Sequence, residues 1–231
     1  MELYHLLNRG VDKRTIFLDT QDYARFVQGM FEFNSSHPVP NIKRNSSFSA
    51  PSPSLGGFDP KAATRGFEQE MARIVDIHGW CLMKNHYHLL VSERKEGGLT
   101  QFIRKLNIGY AKYFNEKYKR SGTLFQSRTK KVHINSDAHF LHILNYVHLN
   151  PLDYVNDAAD WRERKITGHE QALDYLKEYK WSSYKDYIGS KNFPSILTTE
   201  LFKEVFGDYE KEVREYLRDI ETESIRPFML E

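Results

Sequence analysis

Two apolar runs joined by a two-residue connection constrain the fold of this chain more than any other feature. The runs are ARIVDIHGWCLM and HYHLLVSE, and the dipeptide KN lies between them. Apolar runs of this length with a tight connection predict a β-hairpin. Residues i and i+2 of a strand point to the same face of a sheet, so we expect the imidazoles of His86 and His88 on one face and Tyr87 on the other.

The segments around this hairpin predict further strands and helices. LYHLLNRG predicts a short strand, and TQDYARFVQGMFEFN predicts a helix capped by Asp19 or Thr20. LTQFIRKLNIGYAKYFNEKYKRSG has helical spacing up to Gly122, and TLFQSRTKKVHIN predicts a strand or hairpin. SDAHFLHILNYVHLNP predicts a helix with Ser136 as its N-cap and Pro151 as its end. One acidic helix is expected over roughly residues 198–222.

Length and composition restrict the class of protein. A chain of 231 residues suits one large domain, or one domain with an extension. The single cysteine, Cys81, excludes an intramolecular disulfide and a Cys-rich zinc module. We expect a cytoplasmic protein, because the sequence has no signal-peptide pattern and no apolar run of about 18 residues or more. The Ser-, Pro- and Gly-rich stretch from about Ser35 to Gly66 predicts an inserted flexible loop.

Charge is distributed unevenly along the chain, although the net charge is only +2. Between Phe102 and Lys131 many basic residues are opposed by Glu116 alone, whereas acidic residues dominate after Glu200. This asymmetry suggests a polyanion as the partner of the middle segment, and a solvated helix face is an equally good explanation.

The helix before Pro151 is predicted to have an apolar back and a polar front. At about 100° per residue, one stripe is apolar and the opposite side carries a tyrosine. The apolar stripe consists of Phe140, Leu141, Leu144 and Val147, and the polar front consists of Tyr146, His139, His142 and Asn150. Tyr146 and Asn150 form an i, i+4 pair and can reach the same point in space.

A helix of this kind packed near the sheet could complete a catalytic site. Neutral imidazoles such as those of His86 and His88 are good ligands for divalent metals, and an amide oxygen from Asn150 could be a third ligand. A tyrosine is a weak nucleophile at its ordinary pKa of about 10, so Tyr146 would need an electrophile that a metal has activated. A phosphodiester whose charge is offset by the ion meets this requirement.

Five motifs at these positions resemble a known family. MKNHYHLLV resembles the His-hydrophobic-His (HUH) motif of single-tyrosine transposases that act on single-stranded DNA. LNYVHLNP resembles the tyrosine-helix motif of one branch, the transposases associated with repetitive extragenic palindromes (REP). YHLLNRG with IFLDTQDYARFV, SGTLFQSRTKK and WSSYKDY resemble further segments of that branch. The resemblance covers most of residues 3–188, with the motifs in the same order.

The resemblance implies an α+β fold, a ferredoxin-like or RRM-like antiparallel sheet with flanking helices. It implies a catalytic domain over residues 1–190, interrupted by the loop at 35–66, and an acidic helical extension over 191–231. Tyr146 becomes the nucleophile, and His86, His88 and Asn150 become the ligands of Mg²⁺ or Mn²⁺. The implied activity is that of a single-stranded DNA endonuclease and strand transferase that acts at DNA hairpins through a 5′-phosphotyrosine intermediate.

We expect contacts with DNA from the first turn, from the basic segment and from the residue before the histidines. The predicted DNA-binding residues are Arg9, Lys13, Arg14, Lys84, Arg104, Lys105, Lys112, Arg120, Gln126, Arg128, Lys130 and Lys131. Two other functions stay open, a non-catalytic hairpin-binding protein and a phosphodiesterase that uses activated water. Tyr110 and Tyr113 are alternative nucleophiles, although neither has an asparagine four residues later. A monomer and a homodimer are both compatible with the sequence.

Overall fold

A four-stranded antiparallel sheet forms the centre of the protein. The computed structural model describes residues 1–36, 73–163, 166 and 168–219. The strands are β1 (Leu3–Arg9), β2 (Val75–Met83), β3 (His86–Glu93) and β4 (Lys130–Ile134). They lie in the order β2-β3-β1-β4, and each neighbouring pair is antiparallel. The predicted insertion at 35–66 lies outside the described residues from position 37 onward.

Two helices connect these strands across one face of the sheet. Helix α1 (Thr20–Glu32) lies between β1 and β2, and α2 (Gly98–Lys117) lies between β3 and β4. The order β1-α1-β2-β3-α2-β4, with β1 and β3 in the centre of the sheet, is the ferredoxin-like arrangement. The predicted fold class is therefore confirmed. A first hydrophobic core fills the space between these helices and the sheet, and it includes Leu6, Phe26, Trp80, Tyr87, Leu89, Phe102 and Tyr110.

The start of α1 is fixed by a buried carboxylate. Asp19 is the N-cap, as predicted, and its side chain accepts a hydrogen bond from the backbone N–H of Asp22. The Asp22 carboxylate is fully buried and accepts hydrogen bonds from the Tyr118 hydroxyl at 2.7 Å and the Tyr113 hydroxyl at 2.9 Å. The Lys117 ammonium lies 2.7 Å from the same carboxylate. One charged side chain thus joins the N-terminus of α1 to the C-terminal end of α2.

Helix α3 (Asp137–Leu149) covers the opposite face of the sheet. It begins as predicted, because the Ser136 hydroxyl accepts a hydrogen bond from the backbone N–H of His139. It packs closely on β2 at Gly79, where a Cβ atom would lie only 2.8 Å from Cδ1 of Leu144. After Leu149 the chain continues as a 3-10 turn over Asn150–Tyr154, so Pro151 ends the α-helix but not the helical turn.

One member of the predicted apolar stripe of α3 points away from the core. Leu141 is 44% exposed, and its assignment to the buried face was wrong. The reason is that the sheet and the C-terminal helices bury most of the circumference of α3. Ile143 and Leu149, which lie outside the stripe, are buried together with Leu144 and Val147. The narrow strip of α3 left to solvent contains Leu141.

The C-terminal region adds four helices to this second side. They are α4 (His169–Glu178), α5 (Tyr184–Tyr187), α6 (Glu200–Phe206) and α7 (Tyr209–Asp219). The predicted single acidic helix over 198–222 was wrong, because Gly207, with φ of 56°, separates α6 from α7 in the left-handed region that favours glycine. Phe202, Tyr209 and Val213 from α6 and α7 join the core beneath α3. Residues 220–231 lie outside the described residues, and the proposed boundary at residue 190 stays a prediction.

The helices of the described ranges are all too short or too polar to cross a lipid bilayer.

Replacing Asp22 with alanine should destabilise the protein strongly. The substitution removes the buried acceptor of two tyrosine hydroxyls, and each hydroxyl left unsatisfied costs about 1–3 kcal/mol, while Lys117 keeps its ion pair with Asp19. Urea denaturation followed by circular dichroism measures the change. The matched control is Asp174→Ala on the exposed side of α4, which should change the free energy of unfolding by about 0.5 kcal/mol or less. Equal effects of the two substitutions would contradict the role of Asp22.

Candidate active site

The two histidines of the HYH motif lie side by side on β3. Both face α3, and their ring centroids are 4.9 Å apart. Tyr87 faces the opposite core between β3 and the first two helices, as the alternation predicts. His86 is 6% exposed and His88 is fully buried, so both imidazoles lie in an environment from which water is almost excluded.

The turn between β2 and β3 is held from two directions. On one side, the backbone N–H of Gly10 donates to the carbonyl of Asn85 at 2.8 Å, and that of Ile16 donates to the carbonyl of Lys84 at 2.9 Å. On the other side, the backbone N–H of Lys84 donates to the Tyr154 hydroxyl at 2.7 Å. The loop after β1 and the 3-10 turn after α3 therefore fix the residues that precede His86.

Asn85 also determines which nitrogen of His86 carries the proton. Its amide N–H donates to the carbonyl of Lys13, so its Oδ1 atom is the acceptor that lies 2.6 Å from Nδ1 of His86. Nδ1 of His86 is then the donor, and the lone pair of the neutral ring is on Nε2. This is the tautomer in which a metal ligand uses Nε2 while a neighbouring oxygen orients the ring.

A third histidine, His5 on β1, contacts His88. Nε2 of His5 lies 2.9 Å from Nδ1 of His88, and the two rings stack with centroids 5.1 Å apart. For Nε2 of His88 to ligate a metal, Nδ1 must hold the proton and donate it to His5. His5 was not predicted to have a function. The contact between His5 and His88 depends on the register between β1 and β3, in which Leu7 is opposite His88.

Helix α3 brings Tyr146 to this group of histidines. The tyrosine ring lies edge-on to His88 and to His5, with centroids 5.7 Å away in both cases. Tyr146 is 4% exposed, and the Trp161 ring lies 5.9 Å from it on the far side. The structure therefore places the predicted nucleophile, Tyr146, beside the predicted ligands, and its side chain is buried.

Asn150 is close to Tyr146 but its side chain has other partners. Its amide N–H donates to the carbonyl of Tyr146 at 2.7 Å, and its Oδ1 atom accepts a hydrogen bond from Nη2 of Arg162 at 2.8 Å. Arg162 also forms an ion pair with Asp153, and its guanidinium lies 4.3 Å from the centre of the Trp161 ring. Arg162 belongs to a 3-10 segment (Asn156–Glu163) whose sequence has no periodic pattern. The contact of Arg162 with Asn150 was therefore not predicted.

Burial and nearby cations keep the histidines neutral. Burial, with smaller contributions from the guanidinium groups of Arg9 and Arg162, lowers the pKa of His86 to about 3. Burial lowers the pKa of His88 far below its ordinary value, and the other two histidines and the same two arginines add to the effect. The neutral imidazole is the form that ligates metals, so both rings are in the ligand form at neutral pH.

The donor atoms fit a divalent cation in part. Two adjacent neutral imidazoles suit such an ion, but within the described ranges no group of three or more His, Cys, Asp or Glu side chains could hold one. The third donor predicted from sequence is the neutral oxygen of Asn150, which here accepts its hydrogen bond from Arg162. The histidine pair therefore fits a metal, whereas the oxygen of Asn150 would share its two lone pairs between Arg162 and the ion.

The predicted DNA-binding residues fall into two groups. One group surrounds the end of the sheet at which His86 lies. Arg9 is opposite His86 in the pairing of β1 with β3, and Gln126 donates its backbone N–H to the carbonyl of Arg9 at 2.8 Å. We call this group the basic rim, and it consists of Arg9, Lys13, Arg14, Lys84, Gln126, Arg128 and Lys130.

The second group lies away from the histidines. Arg104, Lys105 and Lys112 belong to α2, which packs on the other face of the sheet, and Lys105 donates to the carbonyl of Ser35. Arg120 donates to the side chain of Asn115 at the end of α2, and Lys131 lies over the Tyr4 ring. The alternative nucleophiles Tyr110 and Tyr113 are on α2 as well, on the side of the sheet opposite His86 and His88.

Comparison with known proteins found one family that matches part of the chain. The family described as "Transposase IS200 like" matches residues 66–150, a little more than a third of the chain. This range contains His86, His88, Tyr146 and Asn150. This match confirms the predicted transposase relationship over residues 66–150, which are similar to the IS200-like transposases.

Similarity at the level of individual proteins is low. A solved structure described as "Structure of the REP associates tyrosine transposase bound to a REP hairpin" matches with a TM-score of 0.45 and 12% sequence identity, over 85% of this chain and 85% of that chain. None of the curated proteins compared with the chain matches it. The resemblance to the REP-associated branch rests on the sequence motifs, of which YHLLNRG and WSSYKDY lie outside the matched segment.

Buried histidines should make the stability of this protein sensitive to mild acid. Burial lowers the pKa of both His5 and His148 to about 3, whereas an unfolded chain has a histidine pKa of about 6.5. The unfolded state therefore binds protons first as the pH falls below about 6.5, and the free energy of unfolding decreases down to about pH 3. Each such histidine contributes up to about 1.4 kcal/mol per pH unit in this window and nothing above it.

Urea denaturation at several pH values between 5 and 8 measures this dependence. His148→Gln should reduce the slope below pH 6.5, because it removes one group that takes up a proton on unfolding. His133→Gln, at an exposed position, should leave the slope unchanged. A stability that is constant between pH 5 and pH 7 would contradict the neutral state of the buried rings.

Proposed function

We propose that this protein is a metal-dependent endonuclease and strand transferase for single-stranded DNA, with Tyr146 as its nucleophile. The observation that carries the proposal is the approach of the Tyr146 ring to His88 on the histidine face of β3. The membership of residues 66–150 in a transposase family supports DNA cleavage and joining as the reaction class. The matching solved structure is described as bound to a REP hairpin. For this chain we propose a DNA hairpin with single-stranded flanks as the substrate.

The proposed reaction needs no nucleotide cofactor. The Tyr146 oxygen attacks a phosphodiester, loses its proton and forms a 5′-phosphotyrosine bond, while the bond to the 3′ oxygen breaks and leaves a 3′-hydroxyl. Attack by a second 3′-hydroxyl on the phosphotyrosine joins the new strand and releases the tyrosine. Because one phosphoester bond is made for each one broken, no external energy source is required.

His86 and His88 would hold Mg²⁺ or Mn²⁺ through Nε2, and Asn150 would be the third ligand. The ion would offset the negative charge of the phosphodiester. The chain supplies the orientation: Asn85 fixes the tautomer of His86, and Nε2 of His5 would accept a hydrogen bond from the Nδ1–H group of His88. Imidazole ligands favour Mn²⁺, whereas oxygen ligands and water favour Mg²⁺.

The basic rim provides the proposed path for the DNA backbone. Its side chains surround the end of the sheet at which His86 lies, and many of them are exposed, including Lys13, Lys84, Arg128 and Lys130. Phosphate contacts from such residues fix the position of a strand without reading its sequence. The cations of α2 would contact DNA only if the strand continued around the other face of the sheet.

A non-catalytic hairpin-binding protein is the second candidate. The observation in its favour is that Tyr146 is 4% exposed and that Asn150 is held by Arg162, so a phosphodiester has no direct route to the hydroxyl in this arrangement. A binding protein would use the same basic rim and would need neither the nucleophile nor a metal.

Tyr146→Phe should abolish a metal-dependent covalent adduct with DNA. The test uses labelled single-stranded DNA from the palindromes that flank the gene, incubated with protein and Mn²⁺ or Mg²⁺ and separated on a denaturing gel. A protein–DNA band is expected with the wild type and is expected to fall below detection in Tyr146→Phe and in His86→Ala/His88→Ala. Tyr113→Phe is the matched control and should keep the band, because Tyr113 lies on the opposite face of the sheet.

Other outcomes separate the remaining functions. DNA cleavage that survives in Tyr146→Phe without an adduct would indicate a phosphodiesterase that uses activated water. DNA binding without cleavage, for several flanking palindromes and both metals, would reject the enzyme and favour the hairpin-binding protein.

A further inference from the structure

Arg162 lies at the junction of three parts of the candidate site. Its Nη2 atom donates to Oδ1 of Asn150 at 2.8 Å, its Nη1 atom pairs with Asp153, and its guanidinium is 5.8 Å from the centre of the Tyr146 ring. Its side chain is 20% exposed, although the Nε atom of the guanidinium is buried. Nothing in the predicted reaction uses this residue.

Arg162 and Arg9 place two positive charges near the histidine pair. Arg9 is directly opposite His86 on the neighbouring strand, and the charges of both arginines act on both imidazoles. A guanidinium binds the oxygens of a phosphate with two parallel hydrogen bonds, and such charge-assisted bonds are stronger than a bond to a neutral amide. A phosphate at this site therefore competes well with Asn150 for Nη2 of Arg162.

We propose that Arg162 binds the phosphodiester that Tyr146 attacks, and that in the DNA-free protein the same guanidinium, hydrogen-bonded to Oδ1 of Asn150, competes with the metal for that oxygen. The inference rests on the proposed function, since it assigns a residue to the phosphate of that substrate. DNA takes Nη2 of Arg162, Asp153 keeps Nη1, and Asn150 gains an oxygen that can face the cation. The metal site is then complete only when DNA is present.

This exchange of partners couples DNA binding to metal binding. If DNA raises the affinity for Mn²⁺ by some factor, Mn²⁺ raises the affinity for DNA by the same factor. Two effects of Arg162 weaken metal binding in the DNA-free protein: its hydrogen bond to Asn150 competes for the oxygen of the third ligand, and its positive charge repels the ion. Removal of the guanidinium should therefore increase the affinity for Mn²⁺, which is the opposite of what a loss of structure would produce.

The test measures the binding of Mn²⁺ by electron paramagnetic resonance, with and without a hairpin oligonucleotide with single-stranded flanks, taken from the palindromes beside the gene. For the wild type, DNA should tighten Mn²⁺ binding by about 10-fold. Without DNA, Arg162→Met should bind Mn²⁺ about 5-fold more tightly than the wild type, and DNA should then change its affinity by less than about 2-fold. DNA binding in EDTA should weaken by about 10-fold in Arg162→Met, because a charge-assisted contact is lost.

Two further variants make the result specific. Arg94→Met removes an arginine that is paired with Asp76 at the other end of the β2–β3 hairpin, and it should behave as the wild type in every measurement. In an Asn150→Ala background, the additional change Arg162→Met should no longer tighten Mn²⁺ binding as much, because the withheld ligand is absent. A full gain in that background would overturn the role of Asn150 and leave only charge repulsion.

The outcomes distinguish this inference from the proposed function. If the wild type forms the Tyr146 adduct but Arg162→Met has wild-type affinity for Mn²⁺ and wild-type coupling to DNA, the inference is overturned and the nuclease stands. If the coupling is lost in Arg162→Met while no protein forms an adduct, Arg162 links DNA binding to metal binding, but the nuclease fails together with the assignment of Arg162 to an attacked phosphodiester. Absence of Mn²⁺ binding, with DNA and without it, overturns the inference as well.

Discussion

The antiparallel pairing of β3 between β1 and β2 is the constraint on which the rest of the site depends. β3 is buried on both faces, and its alternation sends His86 and His88 to one core and Tyr87 to the other. A slip of one residue against β1 would move both imidazoles to the face covered by α1 and α2, away from Tyr146. The same register brings Arg9 opposite His86 and allows His5 to reach His88. Strand pairing therefore brings the two imidazoles together with His5 and the guanidinium of Arg9.

The second face of the sheet turns this histidine pair into a candidate catalytic site. α3 approaches β2 closely because position 79 is glycine, and its buried side carries Tyr146 toward the imidazoles. The 3-10 segments after α3 then add contacts that a helix alone does not provide: Tyr154 holds the β2–β3 turn, and Arg162 holds Asn150. The site thus has a rigid half built on strands and a covering half built on irregular structure. The exchange of partners that we propose for Arg162 lies in the covering half, where the side chains of Arg162 and Asp153 are partly exposed.

Sequence predicted the parts of this structure that local chemistry determines. The strand alternation of HYHLLV, the N-caps Asp19 and Ser136 and the order of strands and helices follow from spacing and side-chain type. His5 was missed because its role arises from strand register, and Arg162 was missed because it lies in a segment without periodicity. Leu141 was misassigned because burial of α3 depends on helices far along the chain. The position of the basic residues of α2 on the face of the sheet opposite the histidines was not predicted either, because it depends on tertiary structure.

The most direct measurement of the central claim is an anomalous difference map from crystals of the protein grown with Mn²⁺ and a hairpin oligonucleotide. The account predicts one strong peak bonded to Nε2 of His86 and Nε2 of His88, beside the Tyr146 hydroxyl and in contact with a phosphate oxygen. A peak at other side chains, with His86 and His88 retaining only the contacts seen here, would contradict the account and remove the basis for a phosphotyrosine mechanism.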